Sequence, residues 1–408
     1  MNDILESREE RLNFIKQYLN DYDVVTLKAN IPGFDKNIPE ARLLINYYHH
    51  LMDGYVNSFY LTSYDGPTYY YLYNKGSINK SKLEKIESDL SIGRLIDLDL
   101  FQNESVSINR RTMRKCYLCD NPSFVCIRNR THSLDELLAY VRKTTKDFFV
   151  EEIHSLIEES MIKELNLDPK FGLVTPTTSG SHKDMNYTIM YKSIDVVANG
   201  LTHMFMEAYL NKDIKEAFKK SRLIGIKTEE EMLKITNGIN TYKGLIFILG
   251  CVLTVCGSKM NEEITKDDIF IGLKEMTKGV SLELKNSNTY GAKAYLEYGI
   301  KGARGEIEDG LIHVKEVLNL FDLNDNLLNP LVYLISNVDD TVLLKRCKNI
   351  LKYQAIKERF RSLNVNNIDE VKELNDYCVM NNLSFGGSAD LLITAIFLDK
   401  YFKMFNIQ

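Results

Sequence analysis

The spacing of apolar positions divides the chain near residue 145. Ahead of that point short β-prone runs alternate with turns; beyond it almost every segment repeats at helical period. Ser7 to Asn20 reads as a helix that turns Leu12, Ile15 and Leu19 inward. Asp23 to Ala29 reads as a strand that stops at the turn Asn30-Ile31-Pro32-Gly33. Pro39 to Asp53 is a second helix, and Val56–Ser63 with Thr68–Tyr73 form a hairpin around Tyr64-Asp65-Gly66-Pro67. Gly93 to Leu100 is a further strand whose period of two puts Asp97 and Asp99 on one face, Leu98 and Leu100 on the other. The helices predicted past Thr144 begin with Asp147–Asn166, a long one ending at Leu210, Leu245–Cys256 and Lys266–Lys285. A stripe of Ile307, Leu311, Val314, Leu318 and Phe321 follows, then Leu327–Val338, Thr341–Ser362, Asp369–Asn381 and Leu391–Phe405. The pattern predicts two domains: residues 1–144, α+β with a small mixed or antiparallel sheet, and residues 145–408, an all-α helical bundle.

In the helical part, four polar, glycine-bearing loops each lead into an apolar helix, which predicts one site where helix ends converge. Gly180 to Met185 carries His182 as a general acid or base, Lys183 as a phosphate contact, and Asp184 as a base or metal ligand. Asn240 to Gly244 puts Lys243 in a helix's first turn, where a cation opposes the macrodipole unless an anion sits there. Gly302 to Gly310 packs Arg304, Glu306, Glu308 and Asp309 between glycines; the competing reading is an Arg304–Glu308 pair on a solvated helix. Leu383 to Asp390 offers close backbone approach at Gly386 and Gly387, with Ser388 and Asp390 to cap a helix or bind metal. Taken alone, Gly180 to Met185 also reads as a polar first helix turn and Leu383 to Asp390 as an ordinary capping turn.

The first part has its own candidates. Asp97 and Asp99 suit a Mg²⁺ ion shared with phosphate oxygens, or else the polar face of an edge strand. Arg110, Arg111, Arg114, Arg128 and Arg130, with Lys115, make a polyphosphate clamp or a solvated basic loop. Cys116, Cys119, Cys126 and His132 follow the order C-x2-C-x6-C-x5-H, which has the ligand types of a Cys₃His zinc site. Buried structural thiols are the favoured reading over zinc there, because the basic block by itself accounts for the loop.

Composition narrows the class. A net charge of -5 gives no sign of nucleic-acid binding. Seven cysteines, an odd number, fit reduced thiols in the cytoplasm better than a disulfide framework. The charged opening around Asp3 and Glu6 reads as no signal peptide. The longest apolar run, Gly244 to Cys256, is too short to span a bilayer, so no membrane partner is expected.

Two resemblances then appear. Arg8-Glu9-Glu10-Arg11 with Gln17, the Asn30–Gly33 turn, the Gly93–Asp99 strand and the Arg114–His132 block resemble the phosphoribosyl-dephospho-CoA transferase of the citrate lyase acyl carrier protein. That resemblance makes the Cys/His pattern a family feature and implies a nucleotidyltransferase-like N-terminal domain. Pro169 to Val174, the His182–Met185 cluster, Asn240 to Gly244, Gly302 to Gly310 and Leu383 to Leu392 resemble triphosphoribosyl-dephospho-CoA synthase. The chain departs from that family's pattern at Phe171, Thr175, Tyr242 and Phe385. Together the resemblances imply a bifunctional enzyme. One half joins ATP to 3′-dephospho-CoA and releases adenine; the other transfers the prosthetic group to a serine of the apo citrate lyase acyl carrier protein and releases pyrophosphate. The roles implied are Glu306 or Asp184 as base and His182 as acid, with Mg²⁺ on Glu308, Asp309 or Asp390. Lys183, Lys243 and Arg304 would neutralise phosphate there. Asp97 and Asp99 would hold Mg²⁺ in the N-terminal half, with Arg94, Arg114, Arg128 and Arg130 on pyrophosphate. An N-ribosyl glycohydrolase and a non-catalytic carrier-protein adaptor are the alternatives.

Overall fold

The computed structural model describes residues 2–110, 113–211, 213–286 and 289–408. They form two compact units, the first running to Glu151 and including Lys403–Ile407, the second covering Glu152–Phe402 with Gln408. The division falls inside one helix, Leu134–Leu165.

In the first unit, β1 (Tyr22–Ala29), β2 (Asn57–Ser63), β3 (Gly66–Asn74) and β4 (Ile96–Phe101) form a sheet of order β2-β3-β1-β4. All neighbours are antiparallel, which settles the choice left open by the pattern. Helix Asn2–Lys16 leads into a core on one face, where Ile15 and Leu19 meet Val24, Tyr70, Leu72 and Phe101. Aromatic rings of Phe14, Tyr18 and Phe59 pack around that core. On the other face lies helix Pro39–His50, where His49 stacks on Tyr69 at 4.2 Å and bonds the Tyr71 hydroxyl at 2.9 Å. The register pairs Lys28 with Asp97 and Thr26 with Asp99, so both carboxylates share the face of Val24 and Phe101. Burial alternates along β4 as predicted: Ile96, Leu98 and Leu100 are buried, Asp97 and Asp99 half-buried.

The second unit is helical. Lys243–Lys259 is buried from Leu245 to Gly257 except at the half-buried Phe247, as expected of a helix apolar all round, and packs on Tyr187–Leu210 and Ile214–Ile235. Around these stand Lys266–Met276, Tyr290–Tyr298, Leu328–Asn337, Ile368–Met380 and Gly386–Met404. Three helices predicted as continuous are broken, each at a left-handed residue. Lys266–Lys285 ends at Met276, with Gly279 at φ 86°. The Ile307–Phe321 stripe splits into Ala303–Glu308 and Ile312–Leu320. Gly310 (φ 81°) and Leu311 (φ 56°) turn the chain, and the Leu311 N–H bonds back to the Glu306 carbonyl at 2.6 Å. Thr341–Ser362 splits at Lys348 (φ 56°) into Thr341–Cys347 and Ile350–Arg361, and Asn349 caps the second piece by accepting from the Leu351 and Lys352 amides. Among the described residues, no helix is long and apolar enough to cross a membrane, and the seven cysteines are free.

Candidate functional site

A cavity of about 980 Å³ opens in the helical unit where the predicted loops meet. His182 and Asp184 reach it from the first loop, Asn240 and Lys243 from the second, and Gly386, Gly387 and Asp390 from the last. The Gly302–Gly310 loop contributes only Ala303. Sequence reasoning missed a further wall: Lys345, Arg346, Lys348 and Lys352 line the same cavity, and none is in an ion pair among the described residues. Four cations brought together by a broken helix suit a polyphosphate.

Asp390 is the most perturbed acid in this cavity. Burial raises its carboxyl well above the ordinary range; the nearby carboxylates of Asp340 and Glu164 raise it further, against a hydrogen bond from the Leu245 amide. The shift favours the protonated form; the side chain lines the cavity and lies against Gly244, where a Cβ would sit 2.0 Å from Oδ2. Only glycine leaves room for it. Tyr242 stands beside this group with a buried hydroxyl that has no hydrogen-bond partner among the described residues. Such a group is costly unless a ligand or water completes it.

His182 is lowered by burial and by the adjacent Arg346 guanidinium, although Asp184 pulls the other way. Arg346 Nη2 donates to Nδ1 at 3.4 Å, which leaves Nε2–H to donate to Ser384 Oγ at 3.0 Å. The ring thus bridges Arg346 and Ser384 as a hydrogen-bonding group. Lys170 and Glu164 form a buried ion pair at 2.9 Å in the cavity wall. Lys243 is ion-paired with Glu229, so its charge in the helix's first turn already has a protein partner. Ser388 is buried and spent on the fold, its N–H (3.1 Å) and Oγ (3.3 Å) donating to Asp340.

The other nominated groups lie away from the cavity. Glu306 is buried, its Oε1 2.7 Å from His313 Nδ1. Glu308 accepts from the Gly279 amide at 2.6 Å and from the Ser281 hydroxyl, so the Arg304–Glu308 pair does not form. Arg304 lies over Phe247 and 3.9 Å from Glu283, lining a neighbouring cavity of about 460 Å³ with Lys243 and Asn240. Asp309 and Lys183 are exposed and outside the lining.

In the first unit the carboxylate pair of β4 is ringed by cations. Arg114 donates to Asp97 at 2.8 Å and Arg110 at 3.2 Å, while Lys80 lies 3.9 Å from Asp99. Burial and the adjacent Asp97 raise the Asp99 carboxyl. Beside them Asp65 gathers Arg8 (3.2 Å), Arg11 and Lys28; burial and the Arg11 charge bring the Lys28 amine down to about 8. Arg94 and Arg130 line a separate cavity of about 870 Å³ together with Asn30, Lys36, Tyr117 and His132. Arg94 donates to the Lys115 carbonyl and lies 4.9 Å over the Tyr117 ring. Arg128 is exposed outside that lining, and Arg111 lies outside the described residues.

Comparison with known families makes this a transferase with two parts. The sequence model of the ATP:dephospho-CoA triphosphoribosyl transferase family (CitG) matches residues 150–407, and the chain belongs to that family. That of apo-citrate lyase phosphoribosyl-dephospho-CoA transferase (CitX) matches residues 1–148. The chain is 27% identical to Protein CitXG of Leuconostoc mesenteroides subsp. cremoris over 97% of its length and 96% of the relative's. It is 31% identical to 2-(5''-triphosphoribosyl)-3'-dephosphocoenzyme-A synthase of Haemophilus ducreyi, over 69% of this chain and 98% of that one. Both resemblances read in the sequence therefore stand, in the order expected. They put the chain in biosynthesis of the citrate lyase prosthetic group.

Proposed function

We propose that the helical unit joins ATP to 3′-dephospho-CoA and releases adenine, and that the N-terminal unit transfers the resulting group to a serine of the apo citrate lyase acyl carrier protein. The observation that carries the first half is the Asp390 carboxyl, packed against Gly244 and shifted toward its protonated form, in one cavity with the cationic wall Lys345–Lys352. In the reaction, the 2′-hydroxyl oxygen of dephospho-CoA bonds to C1′ of the ATP ribose while the bond from C1′ to adenine N9 breaks. An acid must supply a proton to adenine, and a base must take the hydroxyl proton. Asp390 fits the acid. Asp184, on the cavity wall, fits the base better than Glu306, whose carboxylate is engaged by His313 away from the cavity. His182 and the Tyr242 hydroxyl orient the ribose or base through hydrogen bonds. Lys345, Arg346, Lys348 and Lys352 neutralise the triphosphate.

The carboxylates first considered for Mg²⁺ do not fit that role. Glu308 is bonded by the Gly279 amide and Ser281, Asp309 is exposed outside the cavity, and burial shifts the Asp390 carboxyl toward its neutral form. Asp97 is held by two arginines and Asp99 faces Lys80. In the N-terminal unit, transfer to a serine hydroxyl expels pyrophosphate. Arg110, Arg114 and Lys80, fixed by Asp97, Asp99 and Glu87, form a counter-charge of the right sign.

The test is adenine release from ATP and Mg²⁺ with and without dephospho-CoA. Adenine that depends on dephospho-CoA, with a product heavier by one triphosphoribosyl group, supports the proposal. Equal release without dephospho-CoA makes the helical unit an N-ribosyl hydrolase instead.

A further inference from the structure

The segment 102–133 joins β4 to the helix that begins at Leu134, and its only helix among the described residues is Ser123–Asn129. It has almost no core. Met113, Phe124 and Ile127 are 77%, 57% and 75% exposed, and Leu118 is exposed too. A stretch of this length with so little buried apolar surface cannot offset the entropy of ordering it. Yet it carries Arg110 and Arg114 to Asp97 and Glu87, the Lys115 carbonyl to Arg94, and the Tyr117 hydroxyl to the Asn30 carbonyl.

Four side chains gather at its centre. Cys116 and Cys119 sit on a tight turn closed by the Lys115–Pro122 bridge, with the Cys116 amide bonded to the Asn121 carbonyl at 2.8 Å. Cys126 projects from the short helix, and His132 follows the left-handed exit at Arg130. One ligand atom from each lies within 4.8 Å of all the others. Cys119 Sγ is 3.4 Å from Cys126 Sγ and 3.4 Å from His132 Nε2. A tetrahedral zinc with Zn–S bonds of about 2.3 Å has S···S edges of about 3.8 Å, close to this spacing. A disulfide needs about 2.05 Å. Three of the four residues are only half-buried, so the cluster is not a packed thiol core.

We propose that Cys116, Cys119, Cys126 and His132 bind one structural Zn²⁺ that staples this segment and thereby positions the arginines on β4. This reverses the expectation that the basic block alone accounts for the loop. With four protein ligands the coordination shell is closed, so the metal holds structure and activates no water. Its binding energy supplies the stabilisation the missing core does not.

The experiment is metal analysis of the full-length chain purified under reducing conditions, repeated on Cys119→Ser and His132→Ala. The expected result is about one zinc per chain in the wild type, lost or much reduced in both variants. Replacing zinc with Co²⁺ should give intense thiolate-to-cobalt absorption and the visible bands of a tetrahedral ion. A zinc chelator should open Arg128 and Arg130 to trypsin while residues 152–402 stay intact. These last two readouts use wild-type chain, so a variant that misfolds does not decide the outcome. Wild-type protein with no stoichiometric zinc and no cobalt spectrum overturns the proposal. So does zinc that persists in both variants, or a Cys119–Cys126 disulfide recovered from protein kept in reductant.

Discussion

Gly244→Ala is the sharpest perturbation the helical cavity allows, because the new methyl would lie 2.0 Å from Asp390 Oδ2 and 3.1 Å from Cγ. Ordinary contact begins near 3.4 Å, so the carboxyl or the helix start must yield by about 1.4 Å. Asp390 is held by its bond from the Leu245 amide, so relieving the clash breaks or stretches that bond and moves the carboxyl within the cavity. Overpacking of this kind costs on the order of 1–3 kcal/mol of stability. Displacing a proton donor by roughly 1 Å costs about a hundredfold in rate. The assay is adenine release at saturating ATP and dephospho-CoA, with thermal unfolding measured in parallel. Asp390→Asn alone should lose at least about a hundredfold, because the amide cannot protonate adenine. The decisive variant is the double one: if the methyl acts by moving Asp390, Gly244→Ala should add little in the Asp390→Asn background. Near wild-type turnover in Gly244→Ala, or full additivity in the double variant, would refute the role given to Asp390.

Lys345→Ala with Lys352→Ala should raise KM for ATP by roughly tenfold per the loss of one or two phosphate contacts, with a smaller change in kcat. Raised salt should narrow the difference, and an unchanged KM removes this wall from the binding site. Glu306→Gln should reduce adenine release less than Asp184→Asn, since the Glu306 carboxylate is paired with His313 and lies outside the cavity. Its stability effect has a sign. Donating a hydrogen bond to the Glu306 carboxylate raises the folded His313 above its ordinary value, so the stabilisation is full below the unfolded pKa and disappears as pH rises through the folded one. The stability gap between wild type and Glu306→Gln should therefore close between mildly acidic and alkaline pH; denaturant titrations showing a constant gap would contradict the ion pair.

The sheet was legible because β4 alternates cleanly and the Asp65-Gly66 turn signals a hairpin. The convergence of three of the four loops on one cavity was legible too, since polar residues and glycines ahead of apolar helices mark helix starts. What the pattern hid were breaks inside helices. Lys348 adopts a left-handed conformation with no glycine to announce it, and that break turns Lys345–Lys352 toward the cavity instead of along a solvated face. Gly310 was visible, but the apolar stripe across it reads as one helix. Its interruption leaves Glu306 beside His313 rather than beside substrate. The role of Asp390 depends on burial and on Asp340 and Glu164, which lie 50 and more residues away in sequence and leave no local signal.

The central claim, that one chain both makes and attaches the prosthetic group, is tested most directly by the mass of the carrier protein. Apo citrate lyase acyl carrier protein is incubated with this enzyme, ATP, Mg²⁺ and dephospho-CoA, and adenine is quantified in the same reaction. The wild type should release adenine and shift the carrier by one phosphoribosyl-dephospho-CoA group. Asp97→Asn with Asp99→Asn should still release adenine and leave the carrier unshifted, provided circular dichroism shows the variant folded. An unshifted carrier with the wild type, or a shifted one with the double variant, would contradict the account.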